Sequence, residues 1–254
     1  MRHGTPADQA GSTASNSMDG HSEPTDFQQM AHHCVFITGA TGYMGRSLIP
    51  ALVARGHRVR ALARETSAHR LPPGAEIVIG NALDPDTFSS AVAPADTLVH
   101  LVGTPHPSPA KAASFRDVDL PSVDAALAAA LAAKVGHFVY VSVAQPAPVM
   151  RAYVAVRQAG EARVRASGIP STILRPWYVL GPGHRWPYVL VPFYALFTLL
   201  PGTRGQARRL GLVTLEQMVH ALVASIEAGP GGVRVIDVPG IRAANTFRPT
   251  GEDG

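Results

Sequence analysis

Val35-Phe36-Ile37-Thr38-Gly39-Ala40-Thr41-Gly42-Tyr43-Met44-Gly45-Arg46 is an apolar run that breaks into three glycines spaced three apart and then resumes as a helix. Gly39 permits a tight turn out of a strand. Gly42 lets the backbone approach a phosphate with no Cβ in the way, and Gly45 lets the new helix pack closely on the strand. The free N–H groups and positive dipole end of such a helix face an anion. Thr41, Tyr43 and Met44 lie between the glycines and count with them as phosphate-side positions. The spacing, G-x-x-G-x-x-G, differs from the general dinucleotide fingerprint by one residue between the first two glycines. Strand before and helix after supply the context that the fingerprint requires.

Outward from this turn the chain alternates strand and helix, the pattern of a parallel sheet covered by helices. Cys34–Thr38 reads as a buried strand, Gly45–Arg55 as a helix ended by Gly56, His57–Ala63 and Glu76–Ile79 as strands, and Asp86–Ala91 as a short helix. Thr97–Val102 is apolar enough for a strand buried on both faces. Ser122–Lys134 is an Ala/Leu-rich helix closed by Gly136, Phe138–Ser142 a strand, Met150–Ala166 a helix and Ser171–Leu174 a strand. Thr214 and Gln217 form a capping-box pattern for a helix reaching Gly229. A last strand, Val233–Val238, precedes a polar tail. The expectation is an α/β Rossmann-type doubly wound sheet with helices on both faces and a small C-terminal substrate cap, its crevice at the carboxyl ends of the strands.

The domain reading is a disordered tail over 1–32, a dinucleotide-binding domain over 33–240 with the cap at about 183–212, and a tail over 241–254. The tail at 1–32 has neither the apolar core of a secretory signal nor an Arg-rich amphipathic pattern. The chain has 254 residues, a hydrophobic fraction of 46% and a net charge of +4. Its arginines are scattered rather than massed, which speaks against a nucleic-acid footprint. Cys34, the single cysteine, excludes an internal disulfide and suits a reducing, cytoplasmic setting. His100, His106, His137, His184 and His220 lack metal-ligand spacing, so no metal is expected. Trp186–Leu200 is nearly continuous in apolar residues but interrupted by Pro187 and Pro192. It reads as a buried cap helix, an apolar substrate wall, or a contact with a membrane surface or protein complex.

Thr38-Gly-Ala-Thr-Gly-Tyr-Met-Gly45 resembles the glycine motif of extended and atypical short-chain dehydrogenases/reductases. Four further segments agree in order and spacing. Gly80-Asn-Ala-Leu-Asp84 resembles the segment bordering the adenine, implicating Asn81 and Ala82. Leu98-Val-His-Leu-Val-Gly103 resembles the strand whose end lies under the adenosine, implicating Leu101, Val102 and Gly103. Phe138-Val-Tyr-Val-Ser142 is similar to the strand carrying the active-site Ser, and Leu174-Arg-Pro-Trp-Tyr-Val-Leu-Gly-Pro182 to the loop near the nicotinamide, implicating Pro176. Together these cover about residues 33–240. Within the superfamily the likeness is to the atypical NAD(P)H-binding group that includes isoflavone-reductase-like proteins, the nitrogen-repression regulator and the accessory nucleotide-binding subunit of respiratory complex I.

An NAD site places an acid about 20 residues past the first glycine, and an NADP site an Arg. Here the chain reads Arg58-Val-Arg60-Ala-Leu-Ala-Arg64, with no carboxylate before Glu65. Arg64 matches the Arg that faces the 2′-phosphate in NADPH-dependent relatives, with Arg60 or Arg46 to assist, so NADP(H) is favoured over NAD(H). The resemblance implies a catalytic Tyr, a Lys four residues on and a Ser. The matches are Tyr153, Arg157 and Ser142, followed by Gly160-Glu161. Arg157 keeps the charge of the Lys but not its compact ammonium or its capacity to relay a proton. His184 sits where a substrate would approach.

The leading expectation is therefore an oxidoreductase acting on a carbonyl group of a small apolar substrate. The alternative is a dinucleotide-binding protein without turnover, serving as a redox sensor or as an assembly factor for a complex. A sugar-nucleotide epimerase or dehydratase is disfavoured by the missing acidic ribose ligand.

Overall fold

Every residue of the strand Cys34–Thr38 (β1) is buried, because the strand is apolar on both of its faces and lies in the middle of a sheet. The computed structural model describes residues 1, 32–104, 111–146, 150–181 and 211–244. The chain divides into two units, Met1–Met30 and Ala31–Gly254, and every element below belongs to the second.

After β1 come the helix Tyr43–Ala54 (α1) and the strands Arg58–Ala63 (β2), Ala75–Ile79 (β3) and Thr97–His100 (β4). They are followed by the helix Leu120–Ala132 (α2), the strand His137–Val141 (β5), the helix Arg151–Ala166 (α3) and the strand Ser171–Leu174 (β6). The short strands Tyr178–Leu180 (β7) and Leu212–Thr214 (β8), the helix Leu215–Glu227 (α4), the strand Val233–Ile236 (β9) and the helix Val238–Ala243 (α5) complete the order. Seven strands pair in parallel in the order β3-β2-β1-β4-β5-β6-β9. The order reverses between β1 and β4, which opens a crevice at the carboxyl ends of those two strands.

Alternation along each strand divides the core in two. Val35, Ile37, Val99, Val139 and Val141 face Leu48, Ile49 and Leu52 of α1 and Met218, Leu222 and Ile226 of α4. Phe36, Leu98, Phe138 and Ile173 face the other way, onto Phe88, Val123, Ala126, Ala130 and Val164. The sheet is thus doubly wound, as expected from the sequence. No helix of the described residues is long and apolar enough to cross a membrane.

Several boundaries differ from the sequence reading for physical reasons. The segment 86–91 is two 3-10 turns, Pro85–Thr87 and Ser89–Ala91, broken at Phe88, which is fully buried. The helix expected at Ser122 starts at Leu120 and follows a π-helical turn, Phe115–Asp119. It is closed by Lys134, at φ 54°, and not by Gly136. Lys134 N–H donates to Leu131 O and Val135 N–H to Ala130 O, which ties off the last carbonyls. The final strand stops at Ile236 because Asp237 caps α5, its Oδ1 accepting from Gly240 N at 3.2 Å. Val238 and Ile241 are fully buried, so the core runs past residue 240 into what the sequence suggested was tail. The capping box at the start of α4 forms as expected, with Gln217 N donating to Thr214 Oγ1 and Thr214 N to Gln217 Oε1. Most of the suggested cap, with Trp186–Leu200 and His184, lies outside the described residues.

Candidate active site

Gly39 has φ +75°, and a Cβ on it would stand 2.7 Å from the Leu101 carbonyl carbon and 2.8 Å from the Val102 nitrogen. The first glycine therefore does two things: it turns the chain, and it lets that turn rest on the end of β4. Gly42 is the N-cap of α1, and its own N–H donates to Gly39 O at 3.0 Å. A Cβ on Gly45 would collide with the backbone of Ala40, so the third glycine fits the helix against the turn itself. No side chain caps α1, and backbone bonding into the helix begins with Arg46 N to Gly42 O at 3.1 Å. The N–H groups of Met44 and Gly45, in the first turn, come before that bonding begins. They meet the requirement of a pyrophosphate seat: donors, a positive helix end and no obstructing side chain.

His100, at the end of β4, is hydrogen-bonded through Nδ1 to Thr38 Oγ1 at 2.8 Å and through Nε2 to Ser122 Oγ at 3.3 Å. Burial, seconded by the charge of Arg157, pushes its pKa down to about 3. It is a neutral tie between β1, β4 and α2 beneath the crevice.

Arg64 stands exposed just past the end of β2; its carbonyl accepts from Ser67 N at 2.8 Å, while its guanidinium has no hydrogen bond or ion pair among the described residues. Arg46, in the first turn of α1, is also exposed. Arg60 is different. Its guanidinium donates to the carbonyls of Ala91 and Ala93 and to Glu76 Oε1, and its hydrogen bond holds the Glu76 carboxyl below the usual carboxylate range. Arg60 is therefore committed to the fold and is removed as an assistant to Arg64. In the adenine-side segment, Asn81 Oδ1 accepts from Leu83 N at 3.1 Å and Asn81 N donates to Thr87 Oγ1 at 2.9 Å. Those bonds shape the turn while the Asn81 residue stays exposed and Ala82 packs on the core.

Tyr153, Arg157 and Glu161 recur every four residues on α3 and so share one helix face. Tyr153 is half-buried, and its ring packs on Phe115 with centroids 5.1 Å apart. The Arg157 guanidinium lies over the Tyr153 ring, 5.2 Å from its centroid. Arg157 itself is buried. Nη1 donates to Val141 O at 3.1 Å, and Nη2 pairs with Asp119 Oδ2 at 3.4 Å. Burial works against the charge, but Tyr153, Tyr140 and Asp119 outweigh it and hold the guanidinium above its ordinary pKa. A Cβ on Gly103 would occupy the place of Arg157 Nη2, so this glycine makes room for the arginine.

Ser142, at the end of β5, is 3% exposed and donates to Glu161 Oε1 at 2.6 Å. Glu161 also receives Gln145 Nε2 at 2.7 Å, Arg175 Nε at 2.9 Å and Arg175 Nη2 at 2.5 Å. The resemblance implied a catalytic role for Ser142, but its proton is held by a buried carboxylate, and lone pairs are what the hydroxyl can offer. Pro176 is buried, and its carbonyl accepts from Ala144 N at 2.8 Å, which carries the β5–β6 pairing beyond Ser142. Asp119, Phe115, Glu161, Gln145 and Arg175 were given no role from sequence. The arginine at 157 was the available signal, since a buried guanidinium demands a carboxylate partner.

Residues 39–190 match the model of a family described as NAD(P)H-binding. The chain belongs to that family. It is 32% identical over 199 residues to the ceramide reductase of Caulobacter vibrioides, an alignment covering 76% of this chain and 61% of that protein. It is 37% identical over 109 residues to the 4-hydroxy-2-methyl-3-oxo-4-farnesyl-3,4-dihydroquinoline-1-oxide ketoreductase of Stigmatella aurantiaca, 42% of this chain and 32% of that one. The chain therefore spans less than two thirds of the length of either relative. Among solved structures, the Bordetella bronchiseptica enzyme WbmH in complex with NAD+ superposes with a TM-score of 0.62 at 19% identity, covering 82% of this chain and 76% of that one. A short-chain dehydrogenase/reductase superfamily protein from Agrobacterium tumefaciens with bound NAD gives 0.59 at 20% identity, covering 80% and 77%. At such identities the likeness concerns the fold, which is that of the short-chain dehydrogenases/reductases. The turn of three glycines and the end of β4 on which it rests both fall within the residues that match this NAD(P)H-binding family.

Proposed function

We propose that the protein is an NADP(H)-dependent reductase of a ketone on an apolar substrate, with Tyr153 as the proton donor. The observation that carries this reading is the fixed, half-buried phenol of Tyr153, held between the Phe115 ring and the Arg157 guanidinium on the helix that follows the β5 strand end. Gly39, Gly42, Gly45 and the first-turn amides of α1 would hold the pyrophosphate. Arg64 would meet the 2′-phosphate, since β2 is followed by a guanidinium unpaired among the described residues, with no carboxylate before Glu65. When bound, NADPH supplies a hydride to the carbonyl carbon of the substrate. Tyr153 Oη gives its proton to the carbonyl oxygen, so that C=O becomes CH–OH. Arg157 stays charged and cannot relay a proton, so Tyr153 recovers its own from solvent. The apolar substrate class is supported by relatives named for ceramide, a farnesylated quinoline oxide and, over 66 residues, a 3β-hydroxysteroid.

A second reading, dinucleotide binding without turnover, is favoured by the engagement of Ser142 with Glu161 and of Arg157 with Asp119. One set of measurements decides between them. NADPH oxidation is followed at 340 nm with a long-chain β-oxo amide, a 3-oxosteroid, a quinone and an enone, alongside NADPH binding by fluorescence. Tyr153→Phe is expected to lower kcat by about 100-fold or more while leaving the NADPH Kd within about twofold. Tight NADPH binding with no oxidation across the panel, unchanged by Tyr153→Phe, would leave the binding-only reading standing.

A further inference from the structure

The π-helical turn Phe115–Asp119 meets the face of α3 at two points that match in spacing. Phe115, 1% exposed, packs on the Tyr153 ring, and Asp119, equally buried, pairs with Arg157. The two partners on the turn are four residues apart, as are the two on α3. The other carboxylate oxygen of Asp119 accepts from Thr104 N at 2.7 Å and from Thr104 Oγ1 at 2.9 Å. Arg157 reaches the same stretch from the opposite side, filling the space beside Gly103 and lying 3.5 Å from Val102 O. A single carboxylate thus fixes both the guanidinium under Tyr153 and the chain leaving β4 on the floor of the crevice.

We infer that Asp119 is a positioning residue for proton transfer by Tyr153, acting through Arg157, with Phe115 as its apolar counterpart. Arg157 is on this account a strut and not a cofactor ligand. A compact ammonium in its place would not reach Val141 O, Asp119 and the Tyr153 face together, because those contacts use the breadth of the planar fork. The turn is suited to the task. A π turn widens the helix and redirects side chains that an α-helical turn would place elsewhere, and such turns gather at functional sites.

The inference rests on the reading of Tyr153 as proton donor, and double variants separate the two. With NADPH and the long-chain β-oxo amide, Asp119→Asn is expected to lower kcat at least tenfold while the NADPH KM changes less than about threefold, because a misplaced donor slows the chemical step more than binding. Asp119→Asn added to Tyr153→Phe is expected to cause almost no further loss, since Asp119 acts through the phenol. Arg157→Lys is expected to lower kcat as well and not to improve it. Should Asp119→Asn fold poorly, Phe115→Leu keeps the site apolar and is expected to show the same split and the same lack of additivity. Unchanged kcat in both single variants, or equal factors with and without the Tyr153 hydroxyl, overturns the inference alone. Absence of wild-type turnover with every ketone, or full activity of Tyr153→Phe, overturns the underlying reading and the inference with it.

Discussion

Arg64, just past the end of β2, and Arg157, within α3, show how differently one residue type behaves at two places in the same fold. Arg64 is exposed and its guanidinium has no partner among the described residues, so its side chain contributes nothing measurable to the packed core. Arg64→Ala is accordingly expected to leave the melting temperature within about 1 °C and to weaken NADPH at least tenfold relative to NADH, as measured by paired fluorescence titrations. An unchanged ratio would remove Arg64 from the site. Arg157 is buried, braced by Asp119, and inseparable from Gly103. The sequence placed both arginines at the crevice but could not tell a waiting cation from a committed one. That distinction depends on partners remote in the chain. Ser142 teaches the same lesson: its identity and strand-end position were readable, while the direction of its hydrogen bond was set by Glu161 from another element.

At the level of elements, what could be read from sequence was whatever is encoded locally. β1 is apolar throughout because it is covered on both faces, the glycine turn has its φ +75° residue where the spacing asks for one, and the Thr214/Gln217 box forms as written. The π turn left no such trace, because nothing in Phe115–Asp119 departs from ordinary helix composition and its shape answers to α3. β7 and β8 are three residues each, below the length at which alternation can be recognised. α5 did carry a signal, an Asp followed by Pro at the second helical position, hidden by the apolar run before it. Asp237→Ala removes that cap and is expected to cost about 1 kcal/mol. Thermal denaturation should register a drop of about 2–4 °C, and a change under 0.5 °C would mean that α5 is held by Val238 and Ile241 alone.

Across the whole molecule, the parallel sheet carries two buried neutral histidines near opposite ends of its strands. His100 is pushed down to about 3 by burial and then by Arg157, and His137 to about 4 by burial and then by Arg234. In the unfolded chain both titrate near the ordinary value of about 6.5. Between that value and the folded ones the unfolded state binds more protons, so stability is fully present above about pH 6.5 and declines as pH falls toward 4. Each histidine contributes a slope of up to about 1.4 kcal/mol per pH unit in that window. Denaturant melts at pH 7.5 and pH 5 should show this loss, and His137→Gln should flatten it; an equal slope in the variant would exclude His137 as a source.

The two-stranded pairing of β7 with β8 has a consequence for how such a protein can diversify. Tyr178 is aligned with Leu212 and Leu180 with Thr214, so the chain leaves the nucleotide-binding scaffold and rejoins it at neighbouring points. Arg242 of α5 secures the return by donating to Leu212 O. When the two ends of a stretch are clamped side by side, lengthening or exchanging what lies between them adds only a slowly growing entropic penalty. A connection of other length and composition between Leu180 and Leu212 is therefore compatible with the same β7–β8 clamp and with an unchanged seven-stranded sheet.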